Sequence, residues 1–226
     1  MFRRLGGVSV IVAGLAFTPL TSGSALAAPA SSEGGTVTTA AATCAFTPNT
    51  LVLGADPRAV KFAVPGASDW RVRVPDLEID ARPGFQVKHF EPKKYHNADA
   101  GLHQATISKD GESCMARFRL LRPSMLTLVV VHNQPYRYIG GQLVRANYGK
   151  GAVRSPMPGA RVAIQYRTEN GWKTTAHFTT NKKGIFIGRL KSPKRTWRAM
   201  LEQTTTTAKS VSRVAADETE YKDTAR

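Results

Sequence analysis

The stretch Cys114-Met115-Ala116-Arg117-Phe118-Arg119-Leu120 alternates with a period of two. Cys114, Ala116, Phe118 and Leu120 fall on one side, Arg117 and Arg119 on the other. Successive side chains of a strand point to opposite faces, so this pattern predicts a strand with one face in a core and the other in water. Upstream the alternation recurs in Val60, Phe62 and Val64, in Trp70, Val72 and Val74, in Phe85, Val87 and His89, and in Ala105 and Ile107. Turn chemistry separates these runs at Gly54-Ala55-Asp56-Pro57, Pro65-Gly66 and Lys109-Asp110-Gly111. No capped amphipathic helix of any length can be read between them. Leu121-Arg122-Pro123 reads as a short hinge.

A second set of strands begins at Leu126. Val162, Ile164 and Tyr166 alternate with Arg161, Gln165 and Arg167, and Asn170-Gly171 is a strong hairpin signal. Trp172 opens the return strand through Ala176 and Phe178, and Asn181-Lys182-Lys183-Gly184 marks the next turn. Trp197, Ala199 and Leu201 alternate in a further strand. Short strands between turns, in two blocks of similar size, predict an all-β chain of two β-sandwich domains in tandem, which the resemblance described next implies are immunoglobulin-like. The expected division is residues 43–123 and 124–214, with a charged tail over 215–226.

Residues 159–201 resemble the terminal module of secreted actinobacterial immunoglobulin-like repeat proteins. The resemblance is carried by Gly159-Ala160-Arg161-Val162-Ala163-Ile164, Gly171-Trp172, Thr179-Thr180-Asn181-Lys182-Lys183-Gly184 and Thr196-Trp197-Arg198-Ala199. Upstream, Leu51-Val52-Leu53-Gly54 and Phe118-Arg119-Leu120-Leu121-Arg122 are similar to the leading domain of those proteins. These motifs are turns and core aromatics, so the resemblance implies a fold more than an activity. Some members carry a calcium-binding label.

The first residues predict export. Arg3 and Arg4 precede an apolar run from Val8 to about Leu20, and Ala25-Leu26-Ala27 supplies a small-x-small cleavage site. The run is shorter than the roughly 20 residues a bilayer span needs, so no transmembrane segment is expected. Residues 1–27 are read as a signal peptide and 28–42 as a flexible Ala/Ser/Gly/Thr leader. Outside the cytoplasm the two cysteines, Cys44 and Cys114, are most simply one disulfide. Two free thiols are the alternative, and Cys-x-x-Cys spacing is absent.

Candidate chemistry is sparse. The chain has no Gly-x-Ser-x-Gly elbow and no His-Glu-x-x-His helix. His89, His96 and His103, with Asp99 nearby, are read as surface or strand residues before zinc ligands. Asp76, Glu78 and Asp80 are the better cation candidate: in a strand they would share one face, while Leu77 and Ile79 point inward. Calcium there would need loop ligands too, because same-face neighbours sit about 7 Å apart. Trp70, Trp172, Trp197, Tyr136, Tyr138 and Tyr166 belong mostly to the cores, with Tyr136 and Tyr138 leading any exposed sugar-stacking subset.

Charge is the strongest functional signal. The formal net charge is +16, falling to +14 once the two leader arginines are removed. Residues 126–214 carry sixteen lysines and arginines against only Glu169 and Glu202, a net of +14. Residues 43–125 balance twelve basic against nine acidic residues, a net of +3. An imbalance confined to one block points to an anionic partner, namely cell-wall polymer or acidic polysaccharide. Physiological nucleic acid is not expected outside the cell. Lys182, Lys183, Lys191, Lys194 and Arg195, in expected turns and strand ends, are the candidate polyanion-binding residues. The expected protein is a secreted, non-catalytic binding or structural protein, associated with a cell wall or similar surface. The rival readings are a secreted enzyme or enzyme inhibitor with loop-borne active residues, and a calcium-binding surface protein. Cleavage after Ala27 predicts that N-terminal sequencing of the exported protein reads Ala28 first; a start within residues 1–20 would refute the leader assignment.

Overall fold

The computed structural model describes residues 44–133, 135–151 and 153–216, so the signal peptide, the leader and most of the charged tail lie outside it. The strands are β1 (Thr50–Val52), β2 (Arg58–Lys61), β3 (Trp70–Val74), β4 (Ile79–Ala81), β5 (Val87–Phe90), β6 (Gly101–Lys109), β7 (Glu112–Leu121), β8 (Ser124–Leu126) and β9 (Val129–Asn133). They continue as β10 (Tyr136–Asn147), β11 (Val153–Pro156), β12 (Arg161–Thr168), β13 (Gly171–Thr179), β14 (Ile185–Lys191), β15 (Thr196–Leu201), β16 (Ser210–Val211) and β17 (Ala215–Ala216). The only helical segments among the described residues are short 3-10 turns, and those residues are otherwise all-β. No helix among those residues is long and apolar enough to cross a membrane.

In the first half, a sheet ordered β1-β7-β6-β3-β4 packs against the β2-β5 pair. The alternation in β7 places Phe118 and Leu120 inside with full burial, and Trp70, Val72 and Val74 do the same from β3. Phe62 packs against Phe46, Phe90 and Phe118 at centroid distances of 6.2–6.5 Å. Cys44, on the segment leading into β1, is disulfide-bonded to Cys114 of β7 with a Cα separation of 5.9 Å. A cross-link over a sequence separation of 70 restricts the unfolded chain by roughly 4 kcal/mol in chain-entropy terms.

One strand reverses the expected facing. Phe85, Val87 and His89 point to solvent, and Phe90 enters the core instead. Pairing explains it: buried Val60 stands opposite Lys88, and Phe62 N–H donates to the Gln86 carbonyl, so the even-numbered side of β5 faces inward. Phe85 then lies outside with the Arg82 guanidinium 5.1 Å from its ring centroid.

The second half is built on β10. Its first part pairs with β9 and β14, and its second part with β8 and β11. The facing sheet runs β13-β12-β15-β16, with β17 also on β15. Val162, Ile164, Trp197, Ala199, Leu201, Ile139, Leu143 and Phe186 fill the space between. Gly188 is required there, because a Cβ would stand 2.2 Å from the Phe178 ring.

The first core takes in residues from beyond Pro123. Ala146 and Tyr148, at and just beyond the end of β10, are buried in the first core among residues 46–120. Arg122, expected in a hinge, is 6% exposed and clamped. Its Nη1 donates to Asn97 Oδ1 at 2.8 Å, and its N–H and carbonyl bond Thr206 and Ala208. Burial, and then the neighbouring Arg145 charge, lower the Arg122 pKa from its ordinary value.

Two outcomes test this packing. Thiol titration of the unreduced, denatured protein should find no free thiol; two would refute the bridge. Tyr148→Ala should cost ~3–5 kcal/mol in urea unfolding, the range for emptying a large aromatic site. Burial raises the Tyr148 pKa, so the folded state holds that proton when the unfolded state begins to lose it. The associated stability is fully present below about pH 10 and lost as pH rises further. Tyr148→Phe should flatten that alkaline decline; an unchanged decline would contradict the assignment.

Candidate functional site

The acidic trio does not share a strand face. Pro75–Leu77 is a 3-10 turn, since proline at its start fixes φ and has no N–H to give a ladder, and Glu78 follows in the left-handed region at φ 53°. Leu77 and Ile79 do point inward, as expected. Asp80 is occupied by Arg71, whose Nε and Nη2 bond its two carboxylate oxygens at 2.8 and 2.5 Å. That hydrogen-bonded guanidinium holds the Asp80 carboxyl below its ordinary pKa. Asp76 faces His103 Nδ1 at 3.4 Å, while His103 Nε2 lies 2.8 Å from the Asp99 carbonyl. Among the described residues no three His, Cys, Asp or Glu side chains converge as a metal site.

The tryptophans divide by a strand irregularity. In β12–β13, Ile164 pairs with Ala176 but Gln165 pairs with Thr174, leaving Thr175 as an extra residue. One inserted residue reverses the facing of everything beyond it. Ala176 and Phe178 therefore face the core, whereas Trp172 lies on the outer surface beside Arg167. Its ring is stacked between Arg198, 4.2 Å from the centroid, and Arg167 at 5.6 Å. Gln165 bridges this surface by accepting from Arg198 Nε at 2.7 Å and donating to Thr174 at 2.9 Å. Trp197 is fully buried and meets Tyr166 edge-on at 5.9 Å.

The five basic candidates form two groups. Lys182 and Lys183 occupy the turn before β14, where Asn181 Oδ1 accepts the N–H groups of Lys183 and Ile185. Lys191 ends β14, and Lys194 and Arg195 lie in the loop to β15. A strand of that length spans roughly 20 Å, so one ligand group cannot touch both clusters. The four lysines are exposed; Arg195 is half-buried with its guanidinium 4.2 Å from the Tyr166 centroid.

Between the clusters runs the outer face of β9, β10 and β14. Register places Val129, Gly140 and Ile187 in one row, Val131, Tyr138 and Arg189 in the next, and Asn133, Tyr136 and Lys191 in the third. Ile187 is 74% exposed and Tyr138 41%. Arg189 covers Tyr136 at 5.0 Å. Tyr136 and Tyr138, named as leading any exposed aromatic subset, are half-buried and exposed respectively, and Trp172 also lies outside the core.

No family model matches this chain, and no curated protein matches it. Among solved structures, a chain from the crystal structure of mouse coronavirus receptor-binding domain complexed with its murine receptor aligns at 9% identity, over 78% of this chain and 98% of that one, with a TM-score of 0.35. Murine CEACAM1b aligns at 10% identity over 76% and 96% of the two chains, with a TM-score of 0.32. The D00-D0 domain of intimin aligns at 8% identity over 76% and 95%, at 0.27. Likenesses this distant bear on neither partner nor activity.

The division of the tryptophans is testable. Trp197→Ala should destabilise by ~3–5 kcal/mol and Trp172→Ala by about 1 kcal/mol, the scale of an exposed cation–π contact. Equal losses in urea unfolding would place both rings in the core.

Proposed function

We propose that this is a secreted, non-catalytic binding protein whose basic second half associates with an anionic extracellular polymer, cell-wall polymer or acidic polysaccharide. The carrying observation is the net charge of residues 126–214, sixteen cations with two carboxylates. Four of those cations, Arg167, Arg189, Arg195 and Arg198, rest on aromatic rings. A ring face stabilises a cation without cancelling its charge. The positive field therefore survives folding and attracts polyanions. The same reading divides the chain into two tandem domains near Pro123, the first disulfide-bonded and nearly neutral, the second the anchor.

The test uses the full mature chain against purified anionic wall polymer. Reversing Lys182, Lys183, Lys191 and Lys194 to Glu is four changes of two charges each, taking residues 126–214 from +14 to +6. Arg195 is left in place because it packs on Tyr166. Wild-type affinity should fall about ten- to a hundredfold between ~50 and ~200 mM salt if roughly four anionic groups are neutralised, by analogy with nucleic acid. The reversed protein should lose most of its binding and nearly all of that salt dependence. Equal binding by the two proteins would remove the anchor reading.

A further inference from the structure

We infer that the outer face of β9, β10 and β14 seats a linear acidic polysaccharide, gripped at each end of β14 by one cluster of cations. The inference rests on the polyanion reading above and gives it a surface and a ligand class. Along β14 the side chains that alternate with buried Phe186 are Lys191, Arg189, Ile187 and Ile185, about 7 Å from one to the next. Gln142 stands opposite Ile185, and its Nε2 donates to the Lys183 carbonyl at 3.3 Å. The Lys182–Lys183 turn therefore closes the far end of this face. Cations stand at both ends of β14, with aliphatic side chains between them. A single anionic group cannot reach both ends, but a polymer laid along the strand can.

The middle of the face has a shape that suits rings. Val129, Gly140 and Ile187 form one row across it, with Val129 60% exposed and Ile187 still more so. Gly140 carries no side chain, so this row is a trough between two aliphatic walls. Packing does not demand that glycine. A Cβ there would meet the Phe186 carbonyl at 3.7 Å and Ile187 at 3.9 Å, ordinary contacts, and its backbone lies outside the left-handed region. At Gly141, by contrast, a Cβ would collide with the Thr127 carbonyl and the Phe186 ring. Exposed Tyr138 borders the trough in the next row. The C–H faces of sugar rings pack on aliphatic and aromatic surface of this kind. Carboxylates of the same chain accept charge-assisted hydrogen bonds from the cations at either end. A second copy of this protein fits the face poorly, because two basic halves repel each other. An acidic sugar chain brings the opposite charge and the flat rings together.

Oligogalacturonate is the probe, titrated calorimetrically into the full mature chain in two lengths. One is shorter than the roughly 20 Å between the two clusters, and the other is longer. The long form should bind on the order of a hundredfold more tightly, because its second contact is intramolecular. Lys182→Gln with Lys183→Gln should remove most of that advantage, while the short form, which keeps the Lys191 end, changes by less than about threefold. Gly140→Gln fills the trough without altering charge, and thermal unfolding checks that it folds. It should weaken the long form by about tenfold, as expected when one packed ring is lost. Polyphosphate has no C–H faces, so its binding to Gly140→Gln should stay within about threefold of wild type. Equal affinity for the two lengths, or unchanged oligogalacturonate binding by Gly140→Gln, would overturn the platform and leave the general polyanion reading standing. Equal weakening of polyphosphate by Gly140→Gln would overturn the ring packing. Phosphatidylglycerol vesicles binding more tightly than long oligogalacturonate, or a dimer in sedimentation that Gly140→Gln dissociates, would give the face another occupant and overturn the inference. Salt-insensitive binding, or none, to every polyanion would take the underlying reading down as well.

Discussion

Asn97 and Tyr148 hold together the place where the two cores meet. Asn97 Oδ1 accepts from Arg122 Nη1 at 2.8 Å and from the Tyr148 backbone N–H at 3.0 Å, while its Nδ2 donates to Asn147 at 2.8 Å. The Tyr148 hydroxyl shares its proton between the carbonyls of Leu53 and Leu121, at 3.0 and 3.3 Å. These groups are buried or half-buried, where an unpaired donor or acceptor costs about 1–3 kcal/mol. Moving β10 relative to β1 and β7 would break several such bonds together. A three-residue link would ordinarily leave two sandwiches free to pivot; this polar cluster, with an aromatic ring sunk in the opposite core, holds them.

That constraint bears on the basic half. Because β10 runs from the exposed Tyr136 end to the buried Tyr148 end, its register is fixed at one end by the junction and sets the other. β9 and β14 pair with its first part on either side.

Period-two alternation made β3, β6, β7, β12 and β15 legible, since each has one face in a core. Legibility failed where the local pattern was overruled by a neighbour. β5 carries apolar side chains on both sides, and only the pairing with β2 decides that Phe90 enters and Val87 leaves. Trp172 has the spacing of a core residue, but one extra residue at Thr175 turns it outward; no feature of residues 171–179 announces a bulge. Pro75 was the available signal that a turn interrupts the acidic trio, leaving only Asp80 in a strand. Tyr148 is isolated in sequence from every residue it bonds, so its role was invisible. Composition located the charge excess in the second half but could not say that β14 separates the four candidate lysines into two clusters.

A domain with fourteen more positive than negative residues repels itself, and that repulsion opposes folding. Three means of relief are available: carboxylate partners, screening by salt, and delocalisation onto aromatic faces. Among the described residues the second half uses the first between Lys209 and Glu202, at 3.5 Å. It uses the third repeatedly, in Arg167 and Arg198 on Trp172, Arg195 on Tyr166 and Arg189 on Tyr136. The distinction matters for binding. A carboxylate partner would have to be displaced by an incoming anion, a cost set against every new contact, whereas a ring can keep its cation while the anion approaches from the open side. Those four arginines thus accept weaker internal stabilisation and keep their charge.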